Sequence, residues 1–315
     1  MHDLLLTKIV IAEVIATYGR HLLLRDAAGE RRMARPIGRQ LEIVCGDRVQ
    51  CRAEGELLLV EAILERDSFL RRSTLRGRSE PLAANLTQLA VILAPLPAPD
   101  LFMIDRYLCA AECAALRTLI VLNKCELATA PPVLQELQQY VALGYRVLPV
   151  SARAASEAES GLAQFRQALQ DQTTILVGQS GVGKSSLTRL VTSDTADIVI
   201  GELMREEEGR HTTTASRLYD CEAGGRIVDS PGVRDFAPAI DDLERRTLGF
   251  REVAQLAPQC RFQDCSHMHE PHCAVRTAFE SGAMHARRYE SYRRLRRLYD
   301  QLWEKRPERE RAARR

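Results

Sequence analysis

The sequence predicts a multidomain α/β protein: a small N-terminal β-barrel, a central parallel α/β domain and a C-terminal helical module built on a metal. Three observations predict it. Short apolar and β-branched runs crowd residues 4–64, strand-like and helix-like segments alternate from residue 85 onward, and four metal-type ligands cluster between residues 260 and 273. The chain's 315 residues suit two or three domains. Its 45% hydrophobic and 27% charged residues are those of an ordinary globular protein, which excludes disordered and fibrous classes. No stretch approaches the roughly 20 apolar residues that span a bilayer. Met1-His2-Asp3 lacks the basic start and apolar core of a secretory signal, so a cytoplasmic location without membrane contact is expected. Nine cysteines are an odd number, and three crowd into 260–273, which fits a reducing compartment and a metal better than a disulfide framework. A net charge of +2 means that any affinity for nucleic acid must come from local patches.

The barrel rests on apolar runs at 4–18 and 21–25, a turn at Asp26-Ala27-Ala28-Gly29, the alternating Gly46–Cys51 segment and Leu57–Leu64. Spacing alone leaves an OB-fold and an SH3-like barrel both open, and leaves a protein-docking and a nucleic-acid surface both open. Residues 66–78 follow with five arginines and few structural signals; they read equally as a solvated linker and as a phosphate-contacting stretch.

The second architecture has buried strands at Gln88–Ala94, Thr118–Leu122, Arg146–Val150, Ile175–Val177 and Arg226–Val228. Helix-like segments at 101–116, 131–143 and 160–170 separate them, which predicts a parallel sheet covered on both faces. After Thr173–Val177 comes Gly178-Gln179-Ser180-Gly181-Val182-Gly183-Lys184-Ser185-Ser186, followed by Leu187, Leu190 and Val191 at the spacing of a helix's inner face. Strand, GxxxxGKS loop and helix together make a phosphate-binding loop. Its glycines let backbone N–H groups face a phosphate at a helix N-terminus, Lys184 reaches the β- and γ-phosphates, and the Ser185 hydroxyl ligates Mg²⁺.

Two further strand ends carry base-recognition chemistry. Asn123-Lys124-Cys125-Glu126 follows one strand and Ser151-Ala152 the next, matching the NKxD and SA pair of P-loop GTPases. There a carboxylate accepts from guanine N1–H and the exocyclic amine, and the alanine amide donates to O6. Adenine leaves those groups unpaired. Glu126 is one methylene longer than the usual aspartate, so its carboxylate must retract or its loop must shift. Downstream, Gly209-Arg210-His211-Thr212-Thr213-Thr214 reads as a switch I, with Thr213 completing the Mg²⁺ shell. Ile227-Val228-Asp229-Ser230-Pro231-Gly232 reads as a strand ending in DxxG, with Asp229 on a Mg²⁺-bound water and the Gly232 N–H on the γ-phosphate. Base-recognition motifs precede the phosphate loop here, the reverse of the ordinary order, so the domain is circularly permuted. Permutation makes switch II run almost directly into the region beginning at Asp241.

That region holds Cys260-x₄-Cys265-x-His267-x₅-Cys273, suited to a closed tetrahedral structural zinc site; His269 and His272 are close enough to compete as the histidine ligand. From Ala283 onward, Tyr292, Leu295, Tyr299 and Leu302 recur at helical spacing. Residues 287–315 carry twelve Lys/Arg against five Asp/Glu, a basic amphipathic helix with a charged tail.

Taken together, the barrel, the order NKxE–SA–GQSGVGKSS–GRHTTT–DSPGVRDF and the C-x₄-C-x-H-x₅-C knuckle resemble the ribosome small-subunit-dependent GTPase A (RsgA) family over almost the whole chain. The resemblance implies an OB-fold at 1–72, a basic linker at 73–84, a circularly permuted GTPase domain at 85–240 and a zinc-knuckle and helical domain at 241–315. It implies a monomeric cytoplasmic GTP hydrolase that binds the 30S subunit and 16S rRNA, alongside other assembly factors, and licenses late small-subunit maturation. GTP or GDP, Mg²⁺ and one structural Zn²⁺ are the cofactors expected. Val233 stands where Ras-type GTPases place the glutamine that orients the attacking water, so intrinsic hydrolysis should be slow. His211 is the nearest group in sequence that could orient that water, a ribosomal group being the other. A free-standing GTPase or ATPase, and an RNA-binding module with a structural nucleotide, are the rival readings.

Overall fold

A computed structural model describes residues 9–38, 41–55, 57–73, 79–154, 160–193, 216–230, 239 and 242–305. The first five strands are β1 (Ile9–Tyr18), β2 (His21–Asp26), β3 (Arg31–Pro36), β4 (Arg48–Glu54) and β5 (Leu57–Ile63). They close in the order β1-β2-β3-β5-β4-β1, with β3 and β5 parallel and every other pair antiparallel. This is a five-stranded barrel of the OB type, which resolves the choice that spacing left open. Residues two apart fill it, among them Ala12 and Val14, Leu22 and Leu24, Val49 and Cys51, Leu58 and Val60. The Asp26 carboxylate accepts from the Ala28 and Glu30 N–H groups, each at 2.9 Å, and closes the expected turn between β2 and β3. β3 was not anticipated, because three arginines break its apolar alternation and Ala34 alone is fully buried.

A register shift between Val14 and Ala16 turns β1 over part-way along. Ala12 and Val14 pack inside the barrel, whereas Ile15, Ala16 and Tyr18 join the core of the next domain. One strand therefore serves two cores.

The stretch expected to be a linker is instead a hairpin. β6 (Phe69–Ser73) pairs antiparallel with β7 (Ser79–Ala84), and Leu70, Leu82 and Ala83 are buried in the α/β core. Arginines hide this in the sequence, and three of them are held internally. Arg66 forks onto Asp47, Arg71 onto Asp242, and Arg72 meets Glu80.

The α/β domain follows as β8 (Gln88–Leu93), α1 (Leu101–Cys113), β9 (Arg117–Leu122), α2 (Ala130–Ala142), β10 (Arg146–Pro149) and α3 (Leu162–Leu169). It continues with β11 (Thr173–Val177), α4 (Lys184–Val191), β12 (Ser216–Asp220) and β13 (Arg226–Asp229). The sheet order is β10-β9-β8-β11-β13-β12. All five strands read from the sequence are present and parallel. Along β8, Leu89, Val91 and Leu93 face the α1 and α2 side, and Ala90 and Ile92 the α3 and α4 side. Leu187 and Val191 lie on the inner face of α4 as expected, but Leu190 is exposed. β12, which the sequence did not reveal, is antiparallel to β13 and also pairs with β1, joining Ala16 to Arg217 and Thr17 to Ser216. The barrel and the α/β sheet are thereby one continuous sheet of eleven strands.

The C-terminal module comprises α5 (Arg251–Leu256), α6 (Ala274–Glu280) and α7 (Ala286–Glu304). On α7, Tyr292, Leu295 and Tyr299 are buried and Leu302 partly so, as the spacing predicts. Arg288, only 1% exposed, forks onto the Glu252 carboxylate at 2.7 and 2.9 Å and reaches Asp105 of α1 at 2.5 Å. Arg287 and the Tyr140 hydroxyl also donate to Asp105, each at 2.7 Å. Burial alone would lower the Arg288 pKa, but Asp105 and Glu252 override it and raise it well above the ordinary value. The module is thus bound to α1 and α2, the helices before and after β9. Those basic residues of α7 are structural, not free for phosphates.

Candidate nucleotide and zinc sites

The phosphate loop joins β11 to α4, and two of its glycines leave no room for a side chain. A Cβ on Gly178 (φ +141°) would stand 2.0 Å from the Ile92 carbonyl oxygen, and one on Gly183 (φ +97°) 2.2 Å from the Asn123 amide nitrogen. Gly183 is also the residue before α4 and offers no side-chain cap, so the first N–H groups of the helix are left for a ligand. The Lys184 ammonium spans the loop, donating to the carbonyls of Gly178 at 2.6 Å and Gln179 at 2.8 Å. Ser180, Gly181, Ser185 and Ser186 are exposed at the mouth, Gln179 is half-buried, and Val182 is buried beneath.

The residues expected to recognise a base converge on this loop. The Asn123 amide donates to the Val182 carbonyl at 2.9 Å, and its oxygen lies 3.3 Å from the Ala152 N–H. Lys124, in the left-handed region at φ +58°, donates to the carbonyls of Leu96 and Gly181, each at 2.8 Å. Four loops, after β8, β9, β10 and β11, are therefore tied together by Asn123 and Lys124. They gather where the chain runs outward in opposite directions from β8 and β11, the topological switch point at which open α/β sheets bind ligands. Cys125 donates its N–H to Val150, and burial raises its thiol pKa. Glu126 is exposed, and no side chain holds it among the described residues. Ser151 is buried, with its N–H on the Ser160 carbonyl at 2.7 Å.

Asp229 ends β13, beside the phosphate-loop strand β11. The next residue, Ser230, accepts a 2.9 Å hydrogen bond from Ser216, the first residue of β12. His211, Thr213, Gly232 and Val233 lie outside the described residues.

In the C-terminal module, Cys260, Cys265, His267 and Cys273 bring their ligand atoms within 4.8 Å of one another. Bond lengths of about 2.3 Å to sulfur and 2.0–2.1 Å to nitrogen give tetrahedral edges of about 3.8 Å between sulfurs and about 3.6 Å between sulfur and nitrogen. The observed separations are 3.9 Å for Cys260–Cys273, 3.5 Å for Cys260–His267 and 3.4 Å for His267–Cys273. A Cys₃His set with these edges fits zinc. His267 is fully buried, whereas His269 and His272 are exposed. Burial also lowers the His267 pKa to about 4, which keeps the imidazole neutral as a ligand must be.

The sequence profile of the RsgA GTPase family matches residues 63–238. This chain belongs to the RsgA GTPase family. It is 39% identical over 262 residues to the small ribosomal subunit biogenesis GTPase RsgA of Saccharophagus degradans, covering 80% of this chain and 75% of that protein. Against the protein of the same name from Sodalis glossinidius it is 38% identical over 293 residues, covering 90% and 84%. The crystal structure of YjeQ from Thermotoga maritima superposes with a TM-score of 0.68 at 26% identity, covering 95% of this chain and all of that one. The structure of YloQ, described as a circularly permuted GTPase, gives a TM-score of 0.67 at 24% identity, covering 98% and 99%.

Within this RsgA-family frame, several supporting residues escaped the sequence reading. Glu270 accepts from the N–H groups of Ser266 at 2.6 Å and of Met268 and His269 at 3.1 Å, folding the loop that presents His267. Burial would raise its pKa, yet these bonds and the one from the Ser266 hydroxyl hold it down at about 2. Gly161, at φ +64°, lies so close to the Pro149 carbonyl that a Cβ would stand 2.2 Å away. That seats Ser160 under Ser151. The Ser160-Gly161 pair before an apolar-periodic helix was the available signal.

Proposed function

We propose that this RsgA-family GTPase binds the 30S ribosomal subunit and its 16S rRNA and couples GTP hydrolysis to late small-subunit maturation. The observation that supports the reading is the tie of Asn123 and Lys124 to the loop of Val182 and Gly181, which brings the residues read for guanine beside those read for phosphate. The printed names of the relatives supply the small-subunit context. Lys184 would hold the β- and γ-phosphates, and loop N–H groups from Gly178 to Ser186 would surround them. The hard oxygens of Ser185 and Thr213 suit Mg²⁺, Asp229 a water on it, and the Gly232 N–H the γ-phosphate. Magnesium, when bound there, would neutralise phosphate charge. Cys260, Cys265, His267 and Cys273 would hold one structural zinc. A cytoplasmic monomer that also meets other assembly factors completes the proposal.

The test is hydrolysis of GTP and ATP with and without purified 30S subunits. GTP turnover stimulated by 30S is expected, with salt-dependent binding. ATP used equally well, or no response to 30S, would favour a free-standing nucleotidase.

Glu126→Ala should erase guanine preference. Its exposed carboxylate is held by no described side chain and is therefore available to N1–H and the exocyclic amine. Competition against labelled GDP checks this. If ATP displaces GDP as well as GTP does in the parent, the base-recognition role of Glu126 is wrong. His211→Ala should lose 30S-stimulated turnover while keeping nucleotide affinity, because Val233 supplies no hydrogen bond to water. Unchanged stimulated turnover assigns that task to a ribosomal group.

A further inference from the structure

β12 carries Arg217 directly across from Asp229 of β13 in the antiparallel register. Directly opposite residues hold their Cβ atoms about 4.5–5.5 Å apart on one face of a sheet, and opposite charges there attract. A guanidinium in that place is built to fork onto the carboxylate and take both of its oxygens. Arg217 does otherwise. Its side chain turns toward β1, on the far side of β12, and donates from Nε at 2.9 Å and Nη2 at 2.6 Å to the Tyr18 hydroxyl. The guanidinium also lies over the Tyr18 ring, 5.6 Å from its centroid. At 9% exposure Arg217 is a buried cation, and among the described residues no carboxylate is bonded to it.

Arg217 and Asp229 are neighbours all the same. Burial raises the pKa of the Tyr219 phenol, Arg217 lowers it and Asp229 raises it, so one hydroxyl feels both charges. The backbone around them is fixed. Thr17 of β1 pairs with Ser216, and the Ser216 hydroxyl donates to that of Ser230, the residue after Asp229, at 2.9 Å. On the other side of β13, Val228 is level with Ile175 of β11, so Asp229 closes its strand beside the one that leads into Gly178 and the phosphate loop. A buried arginine gains most from a carboxylate. The one directly opposite is left to other work because a tyrosine of the barrel strand takes the guanidinium instead.

We propose that Tyr18 is a positioning residue for GTP hydrolysis: by holding Arg217 toward β1 it keeps that arginine off Asp229, the carboxylate read as holding a Mg²⁺-bound water. Tyr18 acts through Arg217 alone. Without the hydroxyl, the guanidinium would swing to the carboxylate opposite and compete for the oxygens that the water needs. The inference rests on the GTPase reading of the site.

The test uses the full chain, with Mn²⁺ as the spectroscopic stand-in for Mg²⁺. Mn²⁺ affinity of the GDP complex by electron paramagnetic resonance, single-turnover GTP hydrolysis at limiting Mg²⁺ and thermal melting are measured side by side. Tyr18→Phe keeps the ring and removes the hydroxyl. It should weaken Mn²⁺ binding and slow hydrolysis about tenfold, the lower end of what losing an outer-shell partner of a metal costs. Adding Arg217→Met should restore both, because the competitor for Asp229 is then gone. In an Asp229→Ala background, Tyr18→Phe should cost nothing further. Arg217→Met alone should leave Mn²⁺ affinity at the parental value, which keeps the proposal open to refutation if Tyr18→Phe melts early. Parental Mn²⁺ affinity in Tyr18→Phe, a loss that Arg217→Met does not restore, or a loss in Arg217→Met alone would overturn the positioning role. A parent chain without GTPase activity would instead overturn the reading beneath it.

Discussion

Lys184→Ala is expected to abolish GTP hydrolysis while leaving the fold in place. The ammonium now donates to the carbonyls of Gly178 and Gln179, oxygens that a phosphate ligand would outcompete for the charge. Gln179 is half-buried at the loop surface and both acceptors are neutral carbonyls, so truncation leaves no buried charge behind. In the nucleotide complex the same ammonium would meet charge that grows on the phosphates during transfer, and the loop from Gly178 to Ser186 carries no second cation to substitute for it. Removing one such preorganised donor costs on the order of 10²–10³-fold in rate. Ser185→Ala should act in the same direction, through the Mg²⁺ shell. Turnover together with thermal melting checks both variants. Near-parental turnover in either one would remove the phosphate loop from the chemistry.

How far the site was legible depends on which physical constraint wrote each part. Gly178 is forced by a backbone carbonyl that would stand 2.0 Å from a Cβ, and Gly183 by its φ of +97° beside the Asn123 side-chain amide; such constraints appear in the sequence as fixed residue types. The buried parallel strands were equally plain, because burial on both faces writes uninterrupted apolar runs such as the one in β8. β12 was hidden for the opposite reason. It is held by β13 on one side and β1 on the other, and its Arg217 is buried by donating to the Tyr18 hydroxyl at 2.6 and 2.9 Å. An arginine satisfied by a tyrosine 199 positions away in sequence leaves no local pattern. The β6–β7 hairpin was missed likewise, since the carboxylates that neutralise Arg66 and Arg71 come from the barrel and from beyond the DxxG segment. The Cys₃His set is a short-range pattern and its clustering was legible, but Glu270, which folds its loop through backbone N–H groups, is one acidic residue among many until its partners are seen.

Loss of zinc should unfold the C-terminal module and leave the α/β domain standing. Cys265 and Cys273 are members of the module's own core, so a metal held by them would sit inside the packing. The Tyr289 hydroxyl donates to the His267 carbonyl at 2.9 Å, and that of Tyr292 to the Ser266 carbonyl at 2.7 Å, so α7 is fastened to the knuckle itself. Without metal, three cysteine side chains and a buried imidazole remain close-packed. Burial then drives the Cys265 thiol up to about 12, so without metal that side chain keeps its proton. For small zinc modules the binding free energy, about 10–16 kcal/mol, is folding free energy. Here part of it is offset by contacts that survive, since Arg288 still bridges Glu252 and Asp105. Collapse should therefore begin at residues 260–273 and spread to α6 before it reaches the root of α7. Metal analysis should give one zinc per chain. A zinc-selective chelator with Mg²⁺ kept in excess, or Cys265→Ser, should open residues 242–305 to protease while nucleotide affinity persists. Native protein without zinc, or proteolytic resistance unchanged by its removal, would rule out a structural metal.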